Sequence, residues 1–291
     1  MTTQGWVSET VEGSYRLSFP LAARLFEGQS DFQKVEVVDT PTWGRMLLLD
    51  GLVQTTQRDE WVYHEMIAHV PLLAHRDPKR VLVIGGGDGG TVREVLKHPG
   101  VQEVVLCEID AMVIEACKQH LPGIACALVE GDRRLTVRVG DGVAYVADEA
   151  QGFDVVIVDS SEPMGPGEEL FSETFYTNVA QKALNAGGLL VAQTESPWYN
   201  RDVIERVYPM LGRCFAQAQP YLGFVPTYPS GCWTWAFCAK TPQPVLPEAN
   251  QGRAAAITPL CRYYNPDLHR AAFVMPNFVV QQVEQPSVVS G

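Results

Sequence analysis

Five short apolar runs, RVLVI (80–84), EVVLCEI (103–109), LTVRVG (135–140), FDVVIVD (153–159) and GGLLVAQ (187–193), are spaced through the middle of the chain. Between them lie segments of helical length and spacing, at about 90–98, 111–120, 142–150 and 172–185. Continuously apolar strands are covered on both faces, and strands that alternate with helices pair in parallel. The pattern therefore predicts the α/β class, a doubly wound parallel sheet with all five runs buried. VIERVYPMLGRCF (203–215) reads as a further helix. FVPTYPSGCWTWAFCAK (224–240) carries β-branched and aromatic residues around a Pro-Ser-Gly turn, which predicts an antiparallel pair extending the sheet.

Upstream the period changes. FQKVEVVD (32–39) alternates, Pro41 and Gly44 punctuate, and RMLLLDG (45–51) and LVQTTQ (52–57) flank a turn at Asp50-Gly51. We expect a small antiparallel β domain over 1–56 and a catalytic domain over 57–280. RDEWVYHEMIAHVPLLAH (58–75) forms a helix leading into that core. The tail QQVEQPSVVSG (281–291) has little to bury and is expected to be loose.

With 291 residues, 46% of them hydrophobic, the chain can bury one substantial core. No stretch approaches the roughly 20 apolar residues of a membrane helix, and MTTQGWVSETVEG lacks the marks of a signal peptide, so a cytoplasmic enzyme without a membrane partner is expected. Seven scattered cysteines without a CxxC pair indicate neither a disulfide framework nor a zinc site; reduced, mostly buried thiols are expected. A net charge of −12 argues against nucleic acid, whose binding depends on Lys and Arg neutralising phosphates. Such acidity fits either a merely solvated surface or a cleft for a cation.

In open α/β sheets ligands bind outside the carboxyl ends of the strands, which directs attention to the residues just after each run. The first run leads into GGGDGG (85–90), where Gly85, Gly87 and Gly90 match GxGxxG, a pattern shared by dinucleotide dehydrogenases and adenosyl-sulfonium transferases. The second ends in Glu108, about 20 residues on, where a carboxylate can accept from ribose hydroxyls. Asp141-Gly142, after the third, lies where an adenine amino group could be held. The fourth ends in DSSEP, placing Asp159 and Glu162 around Ser160 and Ser161. Carboxylates converging on one crevice repel one another unless a cation fills it, which points to an amine ligand. Asp88, inside the glycine turn, would repel the carboxylate of S-adenosylmethionine and attract the bare ammonium of its decarboxylated form.

These residues resemble those of the polyamine aminopropyltransferases, among them the spermidine synthases. The likeness runs in order through GWVSE (5–9), LDGLVQTTQRDEWVYHEM (49–66), VLVIGGGDGGTVREV (81–95), CEID (107–110), VGDG (139–142), DSSEPMGPGEELF (159–171), PTYPSG (226–231) and RYYNPDLHRAAFVMP (262–276). It implies a methyltransferase-like Rossmann core, a homodimer or else a homotetramer, no metal and no prosthetic group. It also implies that decarboxylated S-adenosylmethionine is the co-substrate and a small diamine, putrescine, the acceptor. By matching positions, Gln33, Glu108, Asp141, Gly142 and Pro166 are expected to contact the nucleoside, and His64 and Asp88 the aminopropyl or polyamine portion. Asp159 is the expected catalytic acid, assisted by Tyr63. Trp6, Gln193, Glu195 and Tyr228 would wall the acceptor with Ser160, Ser161 and Glu162. The family generally has aspartate where this chain has Glu162, which leaves agmatine, cadaverine or 1,3-diaminopropane open as acceptors. A dehydrogenase, an ordinary methyltransferase and a non-catalytic polyamine-binding protein are the competing readings.

Overall fold

The computed structural model describes residues 5–11 and 15–284. The N-terminal part forms two antiparallel sheets. β1 (Trp6–Val11) pairs with β2 (Tyr15–Pro20), and β3 (Ala23–Gln29), β4 (Lys34–Thr40), β5 (Gly44–Leu49) and β6 (Leu52–Thr56) pair in sequence order. Asp50 and Gly51 join β5 to β6 with φ of 49° and 83°, the paired positive values that match the twist of a two-residue hairpin.

α1 (Glu60–Ala74) comes next, buried along almost its whole length, its polar residues Glu60, His64, Glu65 and His69 included. Three polar side chains fasten it to distant segments. Asp59, its N-cap residue, accepts from the Thr227 backbone N–H at 2.9 Å and the Thr227 hydroxyl at 2.7 Å. The Tyr221 hydroxyl donates to the Met66 carbonyl at 3.2 Å. Glu65 accepts the backbone N–H groups of Arg262, Tyr263 and Tyr264 at 2.7–2.8 Å.

The core then alternates β7 (Arg80–Gly85), α2 (Gly90–Leu96), β8 (Glu103–Glu108), α3 (Ala111–His120), α4 (Cys126–Glu130), β9 (Leu135–Val139), α5 (Gly142–Asp148), β10 (Phe153–Asp159), α6 (Glu173–Asn178) and β11 (Leu184–Gln193). α7 (Arg201–Cys214) leads to β12 (Gln217–Phe224) and β13 (Cys232–Ala239), and α8 (Gln251–Ile257), α9 (Pro266–Ala271) and α10 (Asn277–Glu284) complete the described chain. The seven-stranded sheet has the order β12-β13-β11-β10-β7-β8-β9. All five expected strands pair in parallel, and β12 and β13 add the expected antiparallel pair. The chain runs outward from β7 through β8 to β9, then resumes at β10 on the other side. Strand order thus reverses between β7 and β10, where Gly85 and Asp159 are register partners, and a crevice opens at their carboxyl ends.

Four expectations need correction. β9 is exposed from Thr136 to Val139 because it forms the sheet edge, where its alternating polar residues belong. The 172–185 helix ends as α6 at Asn178 and passes into a π turn over Val179–Ala183, since Leu184 already pairs with Phe153 as β11. The tail is packed as far as Glu284: α10 buries Val279 and Gln282, and Gln282 Nε2 donates to the Pro197 carbonyl at 2.9 Å. Its remainder, 285–291, lies outside the described residues. Of seven unpaired cysteines only Cys107, Cys117 and Cys238 are buried, the other four being half-buried.

Candidate active site

Two adjoining cavities occupy the crevice, with Tyr63, Ser160, Ser161, Glu162 and Tyr228 in the walls of both. The first lies over the β7 and β8 ends. Gly85 and Gly86 turn the chain there with φ of 75° and 69°, and a Cβ on Gly85 would stand 2.2 Å from the Asp159 carbonyl oxygen. Only glycine lets the two strand ends come so close. Glu108 is held by its own surroundings: Oε2 accepts from Gly87 N–H at 3.1 Å and Oε1 from Asp110 N–H at 2.9 Å. Burial pushes its pKa up to about 7. Asp141 caps α5 by accepting from Val143 N–H at 2.8 Å, and Gly142 packs on Ile84 with no room for a Cβ. Gln33, in the loop before β4, donates to Asp110 at 3.1 Å and reaches this cavity. Pro166 belongs to the 3-10 turn over Gly165–Phe171, its side chain lying outside the described residues.

Asp159 lines the first cavity and is followed in the chain by Ser160, Ser161 and Glu162, which line both. The Thr91 hydroxyl donates to its Oδ2 at 2.7 Å, and the Tyr63 hydroxyl also donates to the carboxylate. Burial, reinforced by the Asp88 charge, raises its pKa above the usual aspartate range. The Tyr63 phenol is driven well above its ordinary value by burial and by Asp159, so it remains a hydrogen-bond donor and cannot act as a base. At the donor end, Asp88 accepts from Gly90 N–H at 2.8 Å and from His64 Nε2 at 3.1 Å. Burial works to raise its pKa but is outweighed by His64, which holds it low.

The second cavity is acid-lined. Glu162 Oε2 lies 3.4 Å from Gln54 Nε2, and burial raises the Glu162 pKa. Glu195, at a left-handed φ of 71° beyond the end of β11, accepts from Gln193 Nε2 at 2.8 Å; burial and then Glu162 push it up to about 8. Such a φ is strained for a non-glycine residue, which is characteristic of functional sites. Gln193 also donates to the Ser161 carbonyl at 3.2 Å, and the Tyr228 hydroxyl donates to the Gln54 carbonyl at 2.5 Å. The Ser160 hydroxyl is buried without a protein partner.

Among the expected wall residues, only Trp6 is out of place: it is 64% exposed on β1 and lines neither cavity, because its neighbour Val7 takes the inward position of the strand. Three unanticipated residues take part. Glu9 enters the second cavity, accepts from Val53 N–H at 3.0 Å and is pushed up to about 7 by burial. Its signal was available, since Glu9 shares the inward face of WVSETV with Val7. Gln54 lines both cavities, and Thr91 reaches Asp159 from the first turn of α2; neither has a distinguishing sequence mark. Among the described residues, no cluster of His, Cys, Asp and Glu is arranged to hold a metal, and no helix is long and apolar enough to cross a membrane.

Two adjoining cavities at the switch point, sharing a wall of Tyr63, Ser160, Ser161, Glu162 and Tyr228 and both lined by carboxylates, define a two-substrate Rossmann-like transferase. Comparison with known proteins narrows the class. Residues 60–247 match the family described as spermine/spermidine synthase domain, and residues 5–57 match that described as spermidine synthase tetramerisation domain. A polyamine aminopropyltransferase of Shouchella clausii is 44% identical over 274 residues, covering 94% of this chain and 97% of its own. One from Moorella thermoacetica is 46% identical over 281 residues, 97% of each. The crystal structure of a spermidine synthase in complex with the transition state analogue AdoDATO superposes with a TM-score of 0.91 at 38% identity, covering 96% of this chain and 95% of the other. Spermidine synthase from Thermotoga maritima superposes at 0.89 and 37% identity, over 96% and 94%. The chain belongs to the spermine/spermidine synthase family and is an aminopropyltransferase.

Proposed function

We propose that the chain is a spermidine synthase, moving an aminopropyl group from decarboxylated S-adenosylmethionine to putrescine and releasing spermidine and methylthioadenosine. The carrying observation is the placement of carboxylates: Asp88 and Asp159 in the first cavity, Asp159 just before the Ser160–Glu162 wall that both cavities share, and Glu9, Glu162 and Glu195 in the second cavity. A sulfonium bearing an ammonium suits the first cavity, and a diamine with one end charged suits the second. Intact S-adenosylmethionine would bring a carboxylate toward Asp88, which disfavours an ordinary methyltransferase.

Transfer is a single in-line displacement. The neutral acceptor nitrogen forms a bond to the propyl carbon, the carbon–sulfur bond breaks, and its electron pair leaves on sulfur as a neutral thioether. An alkylamine with a lysine-like pKa near 10.4 is almost wholly protonated at neutral pH, so the attacking nitrogen must lose a proton. Asp159 accepts it, while Tyr63 and Thr91 hold the carboxylate in place. Fixing both reactants in line contributes about 7–11 kcal/mol. Glu108 and Gln33 face the nucleoside, while Asp141 and Gly142 border the adenine. Glu9, Glu162 and Glu195 hold the far ammonium, with Gln193, Tyr228 and the unpartnered Ser160 hydroxyl around the carbon chain.

Glu162 supports a second reading, an acceptor other than putrescine. The match to a tetramerisation domain supports an oligomer, a homodimer or a homotetramer. The test is to incubate the purified protein with decarboxylated S-adenosylmethionine and, in turn, putrescine, cadaverine, agmatine, 1,3-diaminopropane and spermidine, reading products by mass spectrometry. Spermidine and methylthioadenosine in equal amounts are expected. Transfer from intact S-adenosylmethionine, or binding without release of methylthioadenosine, would overturn the assignment.

A further inference from the structure

Behind the donor end, α1 and α2 are joined by buried side chains whose charges alternate. Arg93 grips Glu60 with two guanidinium nitrogens, at 3.1 Å to Oε1 and 2.7 Å to Oε2. Glu60 Oε2 lies 2.6 Å from His64 Nδ1, and His64 Nε2 lies 3.1 Å from Asp88 Oδ2. The ring is wedged against the start of α2, where a Cβ on Gly90 would stand 2.2 Å from it. Asp88 and His64 line the first cavity; Glu60 and Arg93 line neither.

We propose that Glu60 and Arg93 are positioning residues for the donor amine: gripping His64 from behind, they set how much of the Asp88 charge remains to attract the incoming ammonium. The proposal rests on the donor assigned above. A ring between two carboxylates donates from both nitrogens and is therefore an imidazolium. Although burial opposes it, Asp88 and Glu60 hold the His64 pKa well above its usual value. The groups facing the ring are Glu60 from its own helix, Asp88 from the glycine turn, Asp159 from β10, Arg93 from α2 behind Glu60, and the neutral Tyr63. With His64 charged, the Asp88–His64 pair carries no net charge, and neither does Glu60–Arg93. Loss of the His64 proton returns a full negative charge to the donor site, so donor affinity and that proton are linked.

Glu60→Gln tests this in the intact enzyme, with the His64 ring followed by nitrogen NMR and binding of decarboxylated S-adenosylmethionine and of methylthioadenosine measured against pH. We expect the ring to titrate at least about one pH unit lower than in wild type. The pH at which decarboxylated donor binding strengthens should fall with it, while methylthioadenosine binding and saturated kcat stay within about twofold. His64→Gln should abolish that pH response and make Glu60→Gln silent. If Glu60→Gln fails to fold with Arg93 left to Glu94 alone, Glu60→Gln/Arg93→Gln, which removes both charges, carries the same expectations. An unmoved ring titration, or equal weakening of both ligands, overturns the proposal. A shifted ring in a protein that does not bind the decarboxylated donor even as wild type would instead overturn the donor assignment alone.

Discussion

The Thr91 hydroxyl donates to Asp159 Oδ2 at 2.7 Å, so the first turn of α2 steadies a carboxylate at the end of β10. Asp159→Asn keeps the shape but removes the proton acceptor, and steady-state assays should show kcat lower by about 100-fold or more. Thr91→Val keeps the acceptor but withdraws a bond that favours its charged form. The acid limb of its kcat profile should move to higher pH, and a profile superposing on wild type would remove Thr91 from this role.

Asp88→Asn should discriminate between two ligands that differ by one charged chain. Loss of a charge-assisted contact is worth about 1.5–3 kcal/mol, so decarboxylated S-adenosylmethionine should bind roughly 10- to 100-fold more weakly. Methylthioadenosine, which lacks the ammonium, should be little affected. Calorimetry on both ligands decides this, and parallel losses would count against Asp88 as the ammonium partner.

The acids of the second cavity give a pH dependence of defined sign. Glu9 and Glu195 have native pKa values of about 7 and about 8, both raised above 4.5. Across that window the native state holds protons that the unfolded chain has lost, so these groups lower stability progressively as pH rises from about 4.5 to about 8. Thermal melts of the free protein should show Tm falling over that range, with saturating putrescine diminishing the fall. The acceptor KM should decrease between about pH 6 and 8.5, where the diamine stays charged while the acids ionise. A flat KM would contradict the assignment.

Glu162 sets the last expectation. Its side chain is one methylene longer than the aspartate usual in the family, and its carboxylate lies beside Gln54 in the wall both cavities share. Glu162→Asp should lengthen the site and shift relative kcat/KM from putrescine toward cadaverine by about 1–3 kcal/mol. An unchanged ratio would show that acceptor length is decided elsewhere.

The legible parts of the molecule were those where one physical requirement dominates. Val81–Ile84 and Val155–Val158 are covered on both faces, so continuous apolar sequence announces them as strands. Gly85, Glu108, Asp141 and Asp159 were found because a parallel sheet puts its chemistry where its strands end. β9 misled because an edge strand needs no second apolar face, and α8 to α10 went unread because short helices on a core carry little periodic signal. Glu9 carried a local mark, the inward face it shares with Val7, but its meeting with Glu162 and Glu195 joins segments over 150 residues apart, which local pattern cannot reveal.

The fastening of Glu65 to the backbone of 262–264 has a consequence for how the protein is made. The two segments are 197 residues apart, so at roughly 5–20 residues per second the ribosome needs on the order of 10–40 s to supply the second after the first. Throughout that interval α1 lacks the last partners that cover it. The nascent chain therefore carries the Glu65 carboxylate without its backbone donors until Arg262 to Tyr264 emerge, and shortening it from the carboxyl side past Arg262 would make that state permanent.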